Sequence, residues 1–221
     1  MKEDRATMMP YKETYLRLFS FLLKKPMIQQ YGKDLTRKTL KATPAVYRGM
    51  LEKTDDIGAE NPMAGNIYMG FIFLAIWKAA DGAISVNSLR SVVDAFMARP
   101  IVKKIMSGKD LNRQEDLKAA EEKFHRMQKW ADAHPEYKEK TWDFNFDKSK
   151  HRDGVYYHFT RCPMEKFARE NGFLEVLPVA CEIDYKTTAF SHGVLHRDYT
   201  LATGGPVCDY WIVPDQVKDP E

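Results

Sequence analysis

Two periodicities divide this chain. From residue 11 to 134 apolar side chains recur every three or four positions, the signature of helices buried along one face. Leu16, Phe19, Leu22 and Leu23 mark a first helix, with Lys24 and Lys25 in its last turn before Pro26. Leu35, Leu40, Val46 and Met50 mark a second, disturbed at Pro44, whose ring and missing N–H oppose an uninterrupted helix. Asp55 to Asn66, with Gly58, Pro62 and Gly65, reads as a loop. Ile67 to Ala80 follows as the most apolar helix, closed by Asp81-Gly82. Ser85 is placed to cap the next one, which buries Leu89, Val92, Val93 and Phe96 and ends at Pro100. Leu111 to Ala133 is strongly charged around a narrow stripe of Leu117, Phe124, Met127 and Trp130, so it predicts a helix exposed on one side and stopped by His134-Pro135.

Beyond residue 136 the period falls to two. Trp142, Phe144 and Phe146 alternate with Asp143, Asn145 and Asp147, which predicts a half-buried strand. After the Asp153-Gly154 turn signal, Val155, Tyr157 and Phe159 continue the alternation as its antiparallel partner. Pro163 opens a helix whose buried face is Met164, Phe167 and Ala168, ending at Asn171-Gly172. Leu174 to Tyr185 is apolar enough for either a buried helix or a strand. Val194 to Leu201 and Val207 to Val213 read as two further strands joined through Gly204-Gly205-Pro206, and the polar residues after Pro214 as a fraying tail. The fold class is α+β: a helical N-terminal layer packed on a mainly antiparallel C-terminal sheet with inserted helices. Residues 1–135 form the helical region, 136–214 an α+β region and 215–221 a tail, together one compact unit.

Composition narrows the function classes. The 221 residues are 44% apolar and 29% charged, ordinary for a globular protein. Basic and acidic side chains number 34 and 31, without the concentrated basic stripe that nucleic acid calls for. The short pairs Lys24-Lys25 and Lys103-Lys104 read as solvated helix faces. The longest apolar run, Ile67 to Trp77, covers 11 residues, against about 20 for a membrane span. Met-Lys-Glu-Asp-Arg at the start leads into no apolar signal core, and the three cysteines show neither CxxC spacing nor a disulfide framework. A cytoplasmic protein with reduced thiols is expected.

Candidate chemistry gathers in the last third. Cys181 and Asp184 share a face if their segment is helical and oppose each other if it is extended; in either case a carboxylate cannot itself activate a thiol. Cys208 and Asp209 face opposite sides of any strand. Gly204-Gly205-Pro206 offers backbone N–H groups for an anion, or is simply a turn. Arg197 suits a carboxylate: in the interior it needs Asp184, Asp209 or a substrate as partner, and otherwise it lies on an exposed edge. His192 and His196 have the spacing of metal ligands on a helix, but Gly193 between them and the strand that follows argue against one. His158, alone among aromatics, reads as a structural histidine. No cofactor is called for, with a zinc ion left open by three cysteines and six histidines.

The series Leu177-Pro178, Cys181-x-x-Asp184-Tyr185, Arg197-x-x-Thr200-Leu201-Ala202-x-Gly204 and Cys208-Asp209-Tyr210 resembles, in order and spacing, the C-terminal signature of the L-2-amino-thiazoline-4-carboxylic acid hydrolase family over residues 177–211. It departs from that signature at Tyr210-Trp211, where the family usually has Phe and a basic residue. The resemblance implies a hydrolase that opens a small cyclic amidine bearing a carboxylate to N-carbamoyl-L-cysteine. Residue chemistry then offers Asp184 or Asp209 to hold the amidinium and Arg197, with Thr200 and Gly204, to bind the substrate and its carboxylate. It offers Cys181 or Cys208 as nucleophile and His158 or His196 as proton carrier. The expected partner is a small-molecule substrate, with neither nucleic acid nor membrane, and a homo-oligomer is compatible with the pattern. A non-catalytic ligand-binding or sensory module on the same fold is the alternative. A helical interaction protein using the exposed 111–134 face is a third.

Overall fold

A computed structural model of the chain describes residues 8–147 and 149–218; the charged N-terminal stretch and the last tail residues noted above lie outside them. The helical layer consists of α1 (Glu13–Leu51), α2 (Ala64–Ala79), α3 (Val86–Met97), α4 (Pro100–Met106), α5 (Gln114–Ala133) and the short α6 (Pro135–Lys138). Strand β1 (Val155–Phe159) follows, then α7 (Pro163–Asn171), α8 (Leu177–Cys181) and α9 (Ile183–Ala189), then β2 (Gly193–His196) and β3 (Cys208–Pro214). The architecture is the expected α+β one, with a three-stranded antiparallel sheet of order β1-β3-β2.

The core lies where the apolar run predicted it. Phe71, Ile72, Phe73, Leu74 and Ala75 of α2 are all buried, so this helix is covered on every side. Phe19 of α1 meets Phe73 edge-on and also touches Phe96 of α3, while Phe71 packs on Phe167 of α7 with ring centroids 4.6 Å apart. Ser85 caps α3 as expected, its side chain accepting the Ser88 N–H. No helix among the described residues is long and apolar enough to cross a membrane.

Several local expectations are corrected. The first helix does not stop at Pro26, nor is the second broken at Pro44; both prolines lie inside α1, and the kink falls at Gly32 (φ 79°, ψ 169°). The second half of α1 buries Thr36, Thr39, Thr43, Tyr47 and Met50. Threonines therefore carry much of the stripe for which the sequence offered Leu35, Leu40, Val46 and Met50; of these four only Met50 is buried. Trp142 to Phe146 is not a strand: it makes a single bridge, Asn145 to His158, although Trp142 and Phe144 are buried as the alternation required. Leu174 to Tyr185 resolves as helical, in α8 and α9. The strand expected through Leu201 ends at His196, and Leu201–Thr203 is a 3-10 turn capped by Thr200. The tail does not fray at once, since the Asp215 N–H donates to the His192 carbonyl and Asn112 donates to the Asp215 carboxylate.

The turn into β1 depends on a missing side chain. Gly154 has φ 75°, and a Cβ there would stand 2.1 Å from the Ile212 carbonyl oxygen of β3. The contact is with backbone, so no rotamer change relieves it. Gly154→Ala is expected to lower stability by about 2 kcal/mol or more. A urea melt checks this; an unchanged midpoint would mean that β1 does not need this approach.

Candidate active site

Strand alternation and two short helices assemble two adjoining chambers. In β3, Cys208, Tyr210 and Ile212 point to one face, opposite Phe159, Tyr157 and Val155 of β1 in register. The Tyr157 and Tyr210 rings stack at 4.7 Å. Against this face lie α8 and α9, which bring Cys181, Asp184 and Thr187, and α2, which contributes Asn66 and Gly70. The inner chamber, about 190 Å³, is lined by Cys162, Cys181 and Cys208 together with Asp184, Tyr210 and apolar side chains. An outer chamber of about 340 Å³ shares Met63, Asn66, Phe159, Asp184, Thr187 and Tyr210 with it and adds Lys123 and Phe124 of α5.

Arg197 fixes the geometry. Its Nη2 donates to Asp184 Oδ2 at 2.9 Å, its Nη1 to the Cys181 carbonyl at 3.2 Å and its Nε to the Asp209 carbonyl at 3.1 Å. The guanidinium also lies over the Tyr210 ring, 4.0 Å from its centroid, and beside Tyr185. The arginine side chain is only 2% exposed, against 41% for Asp184. The cation is thus sealed while its carboxylate partner stays open to the chambers. Tyr210 donates to the same Asp184 Oδ2 at 3.0 Å. No hydrogen bond from the described residues reaches Oδ1, which leaves one carboxylate oxygen for a guest.

Residues 65–212 match the family model for L-2-amino-thiazoline-4-carboxylic acid hydrolase. The chain belongs to that family. The matched span runs well beyond the C-terminal signature and takes in the three cysteines, Asn66, Trp142, Lys123 and the Arg197–Asp184 pair. No curated relative and no solved structure matches the chain.

The other signature positions of this hydrolase-family chain divide by sheet face. Asp209 points away from the chamber, and its carboxylate accepts the Asp198 and Tyr199 N–H groups at 2.9 and 2.7 Å, which holds the β2–β3 loop. His158 and His196 also lie on that opposite face; His196 packs on Trp211, and neither histidine lines a chamber. The turn N–H groups are not free for an anion: Gly204 donates to Leu201 and Gly205 to Thr200. Thr200 instead lines a small surface cleft behind Arg197, with Cys181, Tyr185 and Thr203. His192 lies outside any helix and pairs at 3.5 Å with Asp215, and among the described residues no cluster of His, Cys, Asp or Glu side chains suits a metal ion.

Residue-by-residue reading missed Cys162, Tyr210 and Trp142 as members of the site. Tyr210 was detectable by alternation from Cys208. Cys162 was detectable as the residue before Pro163, at the N-cap of α7, although its side chain makes no cap hydrogen bond.

Burial dominates the titration of all three thiols. It pushes Cys162 up to about 12, with the Glu165 and Met164 N–H groups and Trp142 pulling the other way. Cys181 is raised well above the usual thiol range by burial, then by Cys162 and Asp184, with only Arg197 opposing. Burial raises Cys208 too, against a 3.2 Å hydrogen bond from the Leu201 N–H to its sulfur. Burial alone would favour loss of the Arg197 proton, but Tyr210 and Asp184 outweigh it, so its pKa rises and the guanidinium stays charged.

Two outcomes follow from this geometry. Arg197→Lys is expected to cost about 2–3 kcal/mol in a denaturant melt, because one ammonium cannot meet three acceptors in different directions. Full retention of stability would show that the clamp is dispensable. Stability is also expected to fall from about pH 9 towards about pH 12. In that window the unfolded chain releases thiol protons that Cys162 and its neighbours keep when folded, so the unfolded state binds fewer protons and the slope is negative. Thermal melts across this range check the sign.

Proposed function

We propose that this chain hydrolyses a small cyclic amidine bearing a carboxylate, such as L-2-amino-thiazoline-4-carboxylate, to N-carbamoyl-L-cysteine. The observation that carries this reading is Asp184: one oxygen is held by Arg197 and Tyr210, the other accepts no hydrogen bond from the described residues, and the residue lines a chamber of thiols. A carboxylate fixed in that way offers its remaining oxygen to an N–H of an amidinium, and keeping the amidine protonated keeps the ring carbon electron-poor. A nucleophile adds to the carbon between nitrogen and sulfur, and the ring C–S bond breaks. The sulfur leaves as the product thiol and takes up a proton. If water adds, its oxygen becomes the carbamoyl oxygen. If a thiol adds, the S-linked isothiourea that results is hydrolysed by one water, which regenerates the cysteine. Either route consumes one water and needs no oxidant.

The surroundings of the thiols rank them. Cys181 ends α8 near Asp184, and both the helix C-terminus and the carboxylate disfavour a thiolate. Cys208 accepts the Leu201 N–H at 3.2 Å and has Arg197 near it, and both favour the thiolate against burial. Cys162, at the N-cap of α7, makes no side-chain cap hydrogen bond, and burial pushes it up to about 12. The reading therefore places Asp184 as amidinium anchor and Cys208 ahead of Cys162 and Cys181 as nucleophile.

The test is turnover of L-2-amino-thiazoline-4-carboxylate by the purified protein, followed as release of free thiol. Asp184→Asn is expected to lower kcat/KM by about a hundredfold or more and, because it removes the counter-ion of the sealed Arg197, to lower stability as well. Cys208→Ala is expected to lose turnover and Cys162→Ala to keep it. Turnover retained in all three single cysteine variants would assign the addition to water. Tight binding by the unmodified chain without any thiol release would replace the hydrolase reading with the binding-module one.

A further inference from the structure

The carboxylate of the substrate needs a cation, and the residue first expected to supply it is already occupied. Arg197 spends its donors on Asp184, Cys181 and Asp209 and lines neither chamber. Among the residues that line the two chambers the lone basic side chain is Lys123, on the α5 wall of the outer one. It has no acidic partner among the described residues. The neighbouring cations are engaged: Lys109 pairs with Asp116 at 3.3 Å, and Arg126 lies 4.0 Å from Glu122. Asn66 of α2 lines the same chamber, and among the described residues its side-chain N–H meets only the Met63 sulfur at 3.7 Å, a weak acceptor.

We infer that Lys123, with Asn66 as a neutral donor, recognises the carboxylate of the substrate in the outer chamber. The inference rests on the reading of Asp184 as amidinium anchor and adds the second pole of the site. A zwitterionic ring is then held at both ends, its amidinium on Asp184 and its carboxylate towards Lys123. The ring carbon and sulfur turn to the apolar inner chamber. Lys123 is a specificity-determining residue: it selects amidines that carry an anion and penalises neutral analogues. Its position on an exposed helix face leaves the fold independent of it.

The experiment compares L-2-amino-thiazoline-4-carboxylate with its carboxamide, both in binding by calorimetry and in turnover. The proteins are the unmodified chain, Lys123→Met and Lys123→Arg. The expected result is that the unmodified chain prefers the carboxylate about tenfold or more. Lys123→Met should erase that preference by weakening the carboxylate alone, and Lys123→Arg should keep most of it. A preference that survives in Lys123→Met overturns the inference, while continued turnover leaves the hydrolase reading intact. A Lys123-dependent preference in binding without turnover supports the inference and removes the hydrolase reading instead. Equal binding of the two compounds by the unmodified chain, or binding of neither, overturns the inference.

Discussion

One sealed guanidinium sets the dimensions of the site. Arg197 connects elements that the chain delivers separately: the last turn of α8 through the Cys181 carbonyl, α9 through Asp184, and β3 through the Asp209 carbonyl. The carbonyls at the end of a helix as short as α8 have few partners of their own, so the arginine satisfies backbone that packing would otherwise leave bare. Its faces are covered by Tyr210 and Tyr185, which exclude water and favour the cation. A charge buried so deeply is tolerated only because its hydrogen bonds and its counter-ion are all in place. The spacing between α8, α9 and the sheet follows from that requirement, and the inner chamber is the space which that spacing leaves.

The loop that delivers Arg197 is itself a closed hydrogen-bonded unit. Asp209 accepts the Asp198 and Tyr199 N–H groups, Thr200 caps the 3-10 turn, and Gly204 and Gly205 return their N–H groups to it. Several signature residues therefore work one step away from the chamber: they hold the arginine that holds Asp184. This explains why a segment so rich in thiol, carboxylate and hydroxyl groups sends only part of them into the cavity.

Legibility in the sequence followed the kind of information each element uses. The apolar run of α2, the Ser85 cap, the Pro163 start and the β1 alternation are local signals, and the structure carries them. Period two around Trp142 correctly marked Trp142 and Phe144 as buried but not pairing, because a strand needs a neighbour's backbone, and among the described residues only Asn145 finds one. Pro26 and Pro44 were poor guides because α1 absorbs both, whereas Gly32 carries the kink. In the site, Cys181, Asp184, Cys208 and Arg197 were visible as a spaced group. What spacing could not show was direction. The sheet turns His158, His196 and Asp209 outward, and the N-cap turns Cys162 inward from outside the signature.

The division into two chambers follows from what each can solvate. The inner one, walled by thiols and apolar rings, raises the cost of any charge, which is why burial leads the upward shift at each cysteine. Asp184 stands at the junction, partly exposed and braced by Arg197 and Tyr210. The outer chamber, with Lys123 and Asn66, tolerates a second charge of opposite sign. Polarity thus changes along one short path from dry and neutral to open and ionic.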